Sequence, residues 1–372
     1  MNEKWQKTWI QSHTRAGFGV RSRKGRTIRF SVPCQLNGSK LRIVFSNVFS
    51  ETEDIIPSMT MIRNGEFIPI TVNKDEKIVI RNGEYVASDP IKGPFSKGEI
   101  LEFRLFSPGN TSEGNQIVRN AVWSKKGDYT SSKDFPVAFN EKRKGEGIVR
   151  FIPSLESIEI FSDDDPYVIA AIGDSIVQQS QWTNPLYERI GKESDKDVVL
   201  LNAGIGGNRI CNDGEGFYKM FGPSGLNRLE RDILSLQKTD AVIYALGTND
   251  IGMGKQGKRD YVDCERMISD TKKIIEKLHE KGIRVIGTTI LPRKGSSGYK
   301  ENYDIENRKQ YNDWVLNGNC FDEVLDFASY LYDEKDPEKM PDDCCLFDKV
   351  HPNSKGGRII AEKIDLSILG LH

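Results

Sequence analysis

The sequence predicts an α/β chain in two parts: an antiparallel, jelly-roll-like β-sandwich over residues 1–162, then a doubly wound parallel sheet over 163–372. Three observations predict it. Residues 26–106 alternate apolar and polar side chains with period two, the signature of strands with one buried face. After the acidic run Asp163-Asp164-Asp165-Pro166 the apolar residues fall instead into continuous runs, as in strands covered on both faces. Between those runs apolar residues recur at three and four, so β and α segments alternate, and alternation implies a parallel sheet. The length, 372 residues, suits about two domains.

In the first part, Ile28, Phe30 and Val32 share one face, as do Leu41, Ile43 and Phe45; Ile100, Phe103 and Leu105 follow less strictly. Two Arg-Asn-Gly-Glu-aromatic stretches, at 63–67 and 81–85, read as successive hairpins, because Asn-Gly accepts the positive φ of a tight turn. Asp89-Pro90, Gly93-Pro94 and Pro108-Gly109 mark further turns. In the second part the strands are expected at 167–172, 198–201, 241–246, 285–290 and 324–327. Met267, Ile268, Thr271, Ile274, Ile275 and Leu278 form one helical stripe, stopped by Gly282. A last helix is expected to open at Pro352 and run through Ile359, Ile360, Ile364 and Leu366. Right-handed crossovers would bring all five strand ends to one edge.

Composition removes several functions. With 53 basic and 54 acidic residues there is no global field to recruit nucleic acid or an anionic membrane. The basic clusters Arg21-Ser22-Arg23-Lys24-Gly25-Arg26 and Lys142-Arg143-Lys144 sit in polar, Gly-containing stretches and read as solvated loops. The N-terminus lacks the apolar core of a signal peptide, and no window approaches the ~18 apolar residues of a membrane span, so a cytoplasmic protein is expected. Six cysteines without CxxC spacing read as reduced thiols. The histidines at 13, 279, 351 and 372 are too scattered for a zinc site, and no metal is expected.

Four motifs carry the chemistry: Gly173-Asp174-Ser175, Asn202-x-Gly204-x-x-Gly207, Gly247-x-Asn249-Asp250 and Asp348-x-x-His351. The first three lie at or just past the ends of expected strands, and the last lies in a loop opening a helix. That edge is where an α/β enzyme displays its site. A serine hydroxyl is a poor nucleophile until a base takes its proton. His351 is the base candidate by elimination, since His13 and His372 lie near the termini and His279 on a solvated helix face. Asp348, three residues earlier, can fold back onto Nδ1 and leave Nε2 for Ser175. Gly207 and Asn249 can offer donors to a developing oxyanion, with the Ser175 amide as a third. Taken alone, Ser175 reads equally as a helix N-cap and the glycines of 204–207 as a plain turn, but the company of the other three motifs favours the nucleophile. Position 209 is Arg where a dinucleotide fingerprint needs its third glycine, so nucleotide binding is discounted. Asp174 and Asp250 are expected to bond loop amides beside the site. Trp182 and Arg209 follow site loops and are candidates for substrate contact, against core packing for Trp182 and an ion pair for Arg209.

On these motifs the chain resembles the SGNH, or GDSL, hydrolases over roughly residues 163 to 372. Residue by residue, Ser175 matches that family's nucleophile, Gly207 and Asn249 its oxyanion donors, and Asp348 with His351 the rest of its triad. One departure is Val177-Gln178-Gln179-Ser180, where relatives often carry Thr-x-Gly. The resemblance implies a flavodoxin-like strand order and a serine esterase working through an acyl-enzyme without a cofactor. It extends to members that pair a leading β-sandwich with this domain, many acting on O-acetylated sugars. The expectation is therefore a carbohydrate acetyl esterase acting on short imported oligosaccharides, with no nucleic-acid or membrane partner. A short-chain lipid or aryl esterase is the alternative within the class, and residues 208–224 are a candidate mobile flap for either. From another class, the chain would be a carbohydrate-binding protein on a dead hydrolase fold, but the filled triad positions argue against it.

Overall fold

The computed structural model describes residues 4–15, 24–107, 115–117, 121–138, 150–254, 260–297, 299 and 302–371. Residues 21–23 and 142–144 of the basic clusters, the Pro108-Gly109 turn and His372 lie outside the described residues. The chain divides into two compact units, Met1–Asp165 and Pro166–His372.

The first unit is a β-sandwich. One antiparallel sheet runs Lys4–Ile10, Leu155–Ser162, Gly38–Ser46, with Tyr85–Ala87 and Ile91–Phe95 both pairing against Gly38–Ser46. The other runs Val122–Lys126, Arg26–Pro33, Ile100–Ser107, Met59–Arg63, Glu66–Pro69. Register corrects one expectation. Leu101, Phe103 and Leu105 stand opposite Val32, Phe30 and Ile28, and all six are buried. Ile100 pairs with Pro33 on the other parity and is 64 % exposed. Period two is therefore strict here once it is counted from Leu101. Each such buried side chain contributes roughly 1.5–3 kcal/mol by leaving water.

Only the first Asn-Gly is a hairpin. Asn64 (φ 51°) and Gly65 (φ 80°) both take positive φ, and Arg63 pairs with Glu66 across them. At the second, Gly83 has φ 77° while Asn82 is not among the positive-φ residues, so the turn lacks the geometry that folds a strand back on itself. Its flanks pair elsewhere, Ile78–Ile80 with Asp54–Ile56 and Tyr85–Ala87 with Gly38–Ser46. Asn47 holds this corner by donating its amide N–H to the Glu84 carbonyl and accepting from the Gly83 amide.

The second unit is a five-stranded parallel sheet ordered Val198–Gly204, Tyr167–Gly173, Ala241–Ala245, Arg284–Thr288, Glu323–Leu325. That is the flavodoxin-like order, second strand first. Its helices bury apolar faces against the sheet. Cys264–His279 is capped by Asp263, which accepts from the Arg266 amide, and turns its Met267, Thr271, Ile274, Ile275 and Leu278 inward. Three expected boundaries move, and each for a side chain that caps. Asp326 accepts from the Ser329 amide, so Phe327 starts the helix Phe327–Tyr330 instead of ending a strand. Asn353, not Pro352, caps Ser354–Lys363, and Asp365 starts a separate turn at Leu366–Leu369. Ile169, Ala171, Trp182, Leu186, Ile360 and Leu369 belong to one buried cluster of this unit. Among the described residues no helix is long and apolar enough to cross a membrane, and the six cysteines are unpaired.

Candidate active site

Three loops at the carboxyl edge of the sheet bring the motif residues forward, and the crevice beyond that edge is where doubly wound sheets take their ligands. The first follows Tyr167–Gly173. A Cβ on Gly173 would lie 2.1 Å from the Val177 side chain and 2.8 Å from the Ala245 carbonyl oxygen, so glycine lets the chain turn sharply there. Asp174 caps the one-turn helix Ser175–Gln178 by accepting from the Ile176 amide at 2.9 Å. The N-cap is thus Asp174, and Ser175 is the first helical residue, its hydroxyl left for other partners. Where relatives carry Thr-x-Gly the loop is closed by Asn202, whose Nδ2 donates to the Val177 carbonyl (2.7 Å) and to Ser180 Oγ (2.9 Å). Ser180 sits there at φ 54°.

Ser175 Oγ lies 2.6 Å from His351 Nε2, and His351 Nδ1 lies 2.8 Å from Asp348 Oδ2. An ionised carboxylate only accepts, so the Nδ1 proton is donated to Asp348 and the Nε2 lone pair accepts from the serine hydroxyl. Asp348 Oδ1 also accepts from the amides of Val350 (2.9 Å) and His351 (3.1 Å). Partial burial works to raise the Asp348 pKa, but the hydrogen bond and charge of His351, with those two amides, bring it down to about 2. The loop is closed by the Leu346 amide donating to the His351 carbonyl at 2.8 Å.

Gly207 has φ 76°, and a Cβ on it would lie 2.2 Å from the Phe221 ring. Asn249 is buried in the first turn of Thr248–Met253, and its Nδ2 donates to the Asn208 carbonyl at 3.0 Å. Gly207 and Asn249 therefore meet at Asn208, one by the chain and the other by a hydrogen bond. Asp250 accepts from the Ile210 (2.8 Å) and Cys211 (3.1 Å) amides and so pins the loop after Gly207. Burial raises both Asp174 and Asp250 to about 6, against the pull of the amides they accept.

Trp182 and Arg209, the candidates for substrate contact, both take partners within the fold, and for Trp182 the core-packing alternative holds. Trp182 has no exposed surface and packs edge-on against Phe327, ring centroids 5.2 Å apart, because the helix Thr183–Glu193 lays its inner face on the sheet. Arg209 is buried as well and donates to the Asp213 carbonyl at 2.7 Å, bracing its own loop. The 208–224 segment, the candidate flap, is tied to itself from end to end. Asn208 Nδ2 donates to the Phe221 and Pro223 carbonyls, and Asp213 accepts from the Ser224 amide. Half-exposed Tyr218 stacks on Phe221 with ring centroids 5.4 Å apart.

Sequence reading missed Asn208, Arg228, Asp232 and Arg293. Arg228 and Asp232 form a buried ion pair (2.8 Å) on the helical stretch after the loop, where Gly225, Arg228, Leu229, Asp232 and Ile233 make the inner face. An Arg and an Asp four apart ordinarily mark a solvated face; the clue was that they share the apolar stripe. Arg293, also buried, donates to the Thr248 hydroxyl at 2.8 Å and adds positive charge near Asp174. Among the described residues no cluster of three or more His, Cys, Asp or Glu could hold a metal.

The strand order and the loops gathered at its carboxyl edge define an α/β protein of the SGNH type. The GDSL-like lipase/acylhydrolase family matches residues 171–359, half of the chain, and the chain belongs to that family. Solved structures are similar to part of the chain. A GDSL-like lipase from Bacteroides thetaiotaomicron VPI-5482 is 17 % identical, with 55 % of this chain and 88 % of that one covered and a TM-score of 0.40. The acetyl xylan esterase AlAXEase is 24 % identical, with coverages of 53 % and 96 % and a TM-score of 0.40. The psychrotrophic esterase EstA from Pseudoalteromonas sp. is 19 % identical, with coverages of 55 % and 96 % and a TM-score of 0.38. No curated protein matches the chain.

Proposed function

We propose that the protein is a serine esterase that cleaves short acyl esters, O-acetyl groups on carbohydrates in particular. The hydrogen-bonded series Ser175–His351–Asp348 carries this reading. His351 Nε2 takes the hydroxyl proton as Ser175 Oγ attacks the ester carbonyl, and the Asp348 carboxylate stabilises the imidazolium. The tetrahedral oxyanion is met by the amides of Ser175 and Gly207 and the Asn249 side chain. His351 then returns its proton to the leaving alcohol, and water activated by the same nitrogen releases the acid.

Two features support a small acyl group on a sugar. The Phe221 ring lies where a Cβ on Gly207 would go, so a bulky aromatic borders that turn, a setting that suits acetyl better than a long chain. Phe347, next to Asp348 on a loop tied back on itself, is 94 % exposed and offers a flat apolar face of the kind sugar rings stack upon. The test is acetate release from acetylated xylo- and manno-oligosaccharides beside p-nitrophenyl esters of rising chain length. Acetyl substrates should be preferred, and Ser175→Ala and His351→Ala should each lower kcat by roughly 10³-fold or more with the fold intact. A preference for long acyl chains would move the protein to the lipases, and a Ser175→Ala variant keeping over about a tenth of wild-type activity would remove the nucleophile assignment.

A further inference from the structure

Arg228 hydrogen-bonds to the strand end that leads into Ser175 and to the chain on both sides of the Gly207 turn, and it reaches the third oxyanion donor, Asn249, through Asn208. Its Nη2 donates to the Gly173 carbonyl (2.8 Å), the residue before Asp174-Ser175. Its Nη1 donates to the Ala203 carbonyl (2.8 Å), one residue before Gly204. Its Nε donates to Asn208 Oδ1 (2.8 Å), beside Gly207. Asn208 in turn accepts from Asn249 Nδ2 on its carbonyl and donates its own amide group to the Phe221 and Pro223 carbonyls. The guanidinium is fully buried, and its Nη1 also donates to Asp232 Oδ2 at 2.8 Å. The helix Gly225–Leu229 widens there into a π turn, Glu230–Leu234, a device that recurs near functional sites.

We propose that Arg228 is a positioning residue for the oxyanion donors: its planar fork fixes the Ser175 turn, the Gly207 turn and, through Asn208, the Asn249 amide in one mutual geometry. This rests on the esterase reading above. The physical reason is that donors stabilise a transition state only if they are already in place, and misplacing one by about 1 Å from a distance costs on the order of 10²-fold. A buried arginine suits the task because its donors are rigidly coplanar and bridge three acceptors at once. Lysine carries the same charge on a flexible stem with a single nitrogen and cannot span them.

The experiment compares wild type with Arg228→Lys, Asn208→Ala and Ile190→Ala, the last a core change in the helix Thr183–Glu193 of the same unit. Active sites are counted by labelling Ser175 to completion with a p-nitrophenyl alkylphosphonate, and p-nitrophenyl acetate hydrolysis is expressed per labelled site. Arg228→Lys should lower kcat per site by roughly 10–100-fold with KM changed by less than about threefold. Combined with Asn249→Ala, the losses should be much less than multiplicative, because both act on the same donors. Ile190→Ala should lose stability and keep its kcat per site. Unchanged kcat per site in Arg228→Lys, or losses that multiply in full with Asn249→Ala, would reduce Arg228 to a support of the fold and overturn the proposal. If Arg228→Lys does not fold, Asn208→Ala leaves the Arg228–Asp232 pair and both carbonyl bonds in place and is judged by the same two readouts. A wild-type protein that neither takes the label on Ser175 nor hydrolyses esters would fail one step earlier, at the esterase reading itself.

Discussion

Ser175, His351 and Asp348 are separated by up to 176 residues in the chain yet form one series of two short hydrogen bonds. Their meeting was legible because each residue type has only a few roles in a loop past a strand: to attack, to carry a proton, or to hold a charge. What a side chain touches was less legible. Trp182 and Arg209 follow site loops in sequence, but helix phase and a backbone carbonyl decide where they go, and neither shows in a motif. Asn249 illustrates the intermediate case. Its position was readable, while its bond to the Asn208 carbonyl depends on how two loops meet. One N–H of its Nδ2 is held by that carbonyl, and in the proposed mechanism the other meets the oxyanion. Asn249→Ala should therefore lower kcat by ~10²-fold with KM nearly unchanged, since the bond strengthens mainly in the transition state. Steady-state kinetics on p-nitrophenyl acetate decides it: a large rise in KM with kcat preserved would make Asn249 a ground-state binding residue.

Elements were predicted best where a pattern repeats and worst where an end is set by one side chain. Four of the five parallel strands are long apolar runs, and both their existence and their positions could be read. The fifth, Glu323–Leu325, is short because Asp326 caps the turn that follows. The two Asn-Gly turns look alike in sequence, and only the pairing of their flanks separates a hairpin from a corner. Asn202 shows how one residue can join two elements. From the strand Val198–Gly204 it donates to the Val177 carbonyl and to Ser180 Oγ, and its Oδ1 accepts from the Gly204 amide at 3.0 Å. Asn202→Leu keeps the volume but strands these groups, so it should destabilise the second unit by about 1–3 kcal/mol. Urea unfolding followed by tryptophan fluorescence measures this, and a midpoint equal to wild type would show that the turn after Ser175 is held by other means.

At the scale of the whole molecule, the change from period two to continuous apolar runs was enough to forecast a sandwich followed by a parallel sheet. The strand order came from family resemblance, because periodicity does not say which strands are neighbours. Nor does sequence show which carboxylates are buried, and that sets how stability depends on pH. Asp174 and Asp250 are raised by burial to about 6, from ~3.9 in an unfolded chain. Between roughly pH 4 and 6 the folded unit keeps protons that the unfolded chain has released, so their contribution to stability is full below ~3.9 and is lost as pH rises through 6. For Asp232 and Asp348 burial is outweighed, by Arg231 and Arg228 in one case and by His351 in the other, and both sit at about 2. Their contribution runs the opposite way, present above ~3.9 and lost as pH falls toward 2. Asp250→Asn removes one of the two groups that weaken the fold on the way up to neutrality. The variant is expected to be less stable at any one pH, because an amide oxygen cannot accept from Ile210 and Cys211 as two carboxylate oxygens do. The readout is accordingly the slope: between pH 4 and 7 the urea midpoint should change less favourably with rising pH in wild type than in Asp250→Asn. Asp250 is also one of the charges that raise Asp174, so the difference in slope belongs to Asp250 together with its coupling to Asp174. Parallel slopes would mean that Asp250 titrates in the folded protein as it does in the unfolded chain.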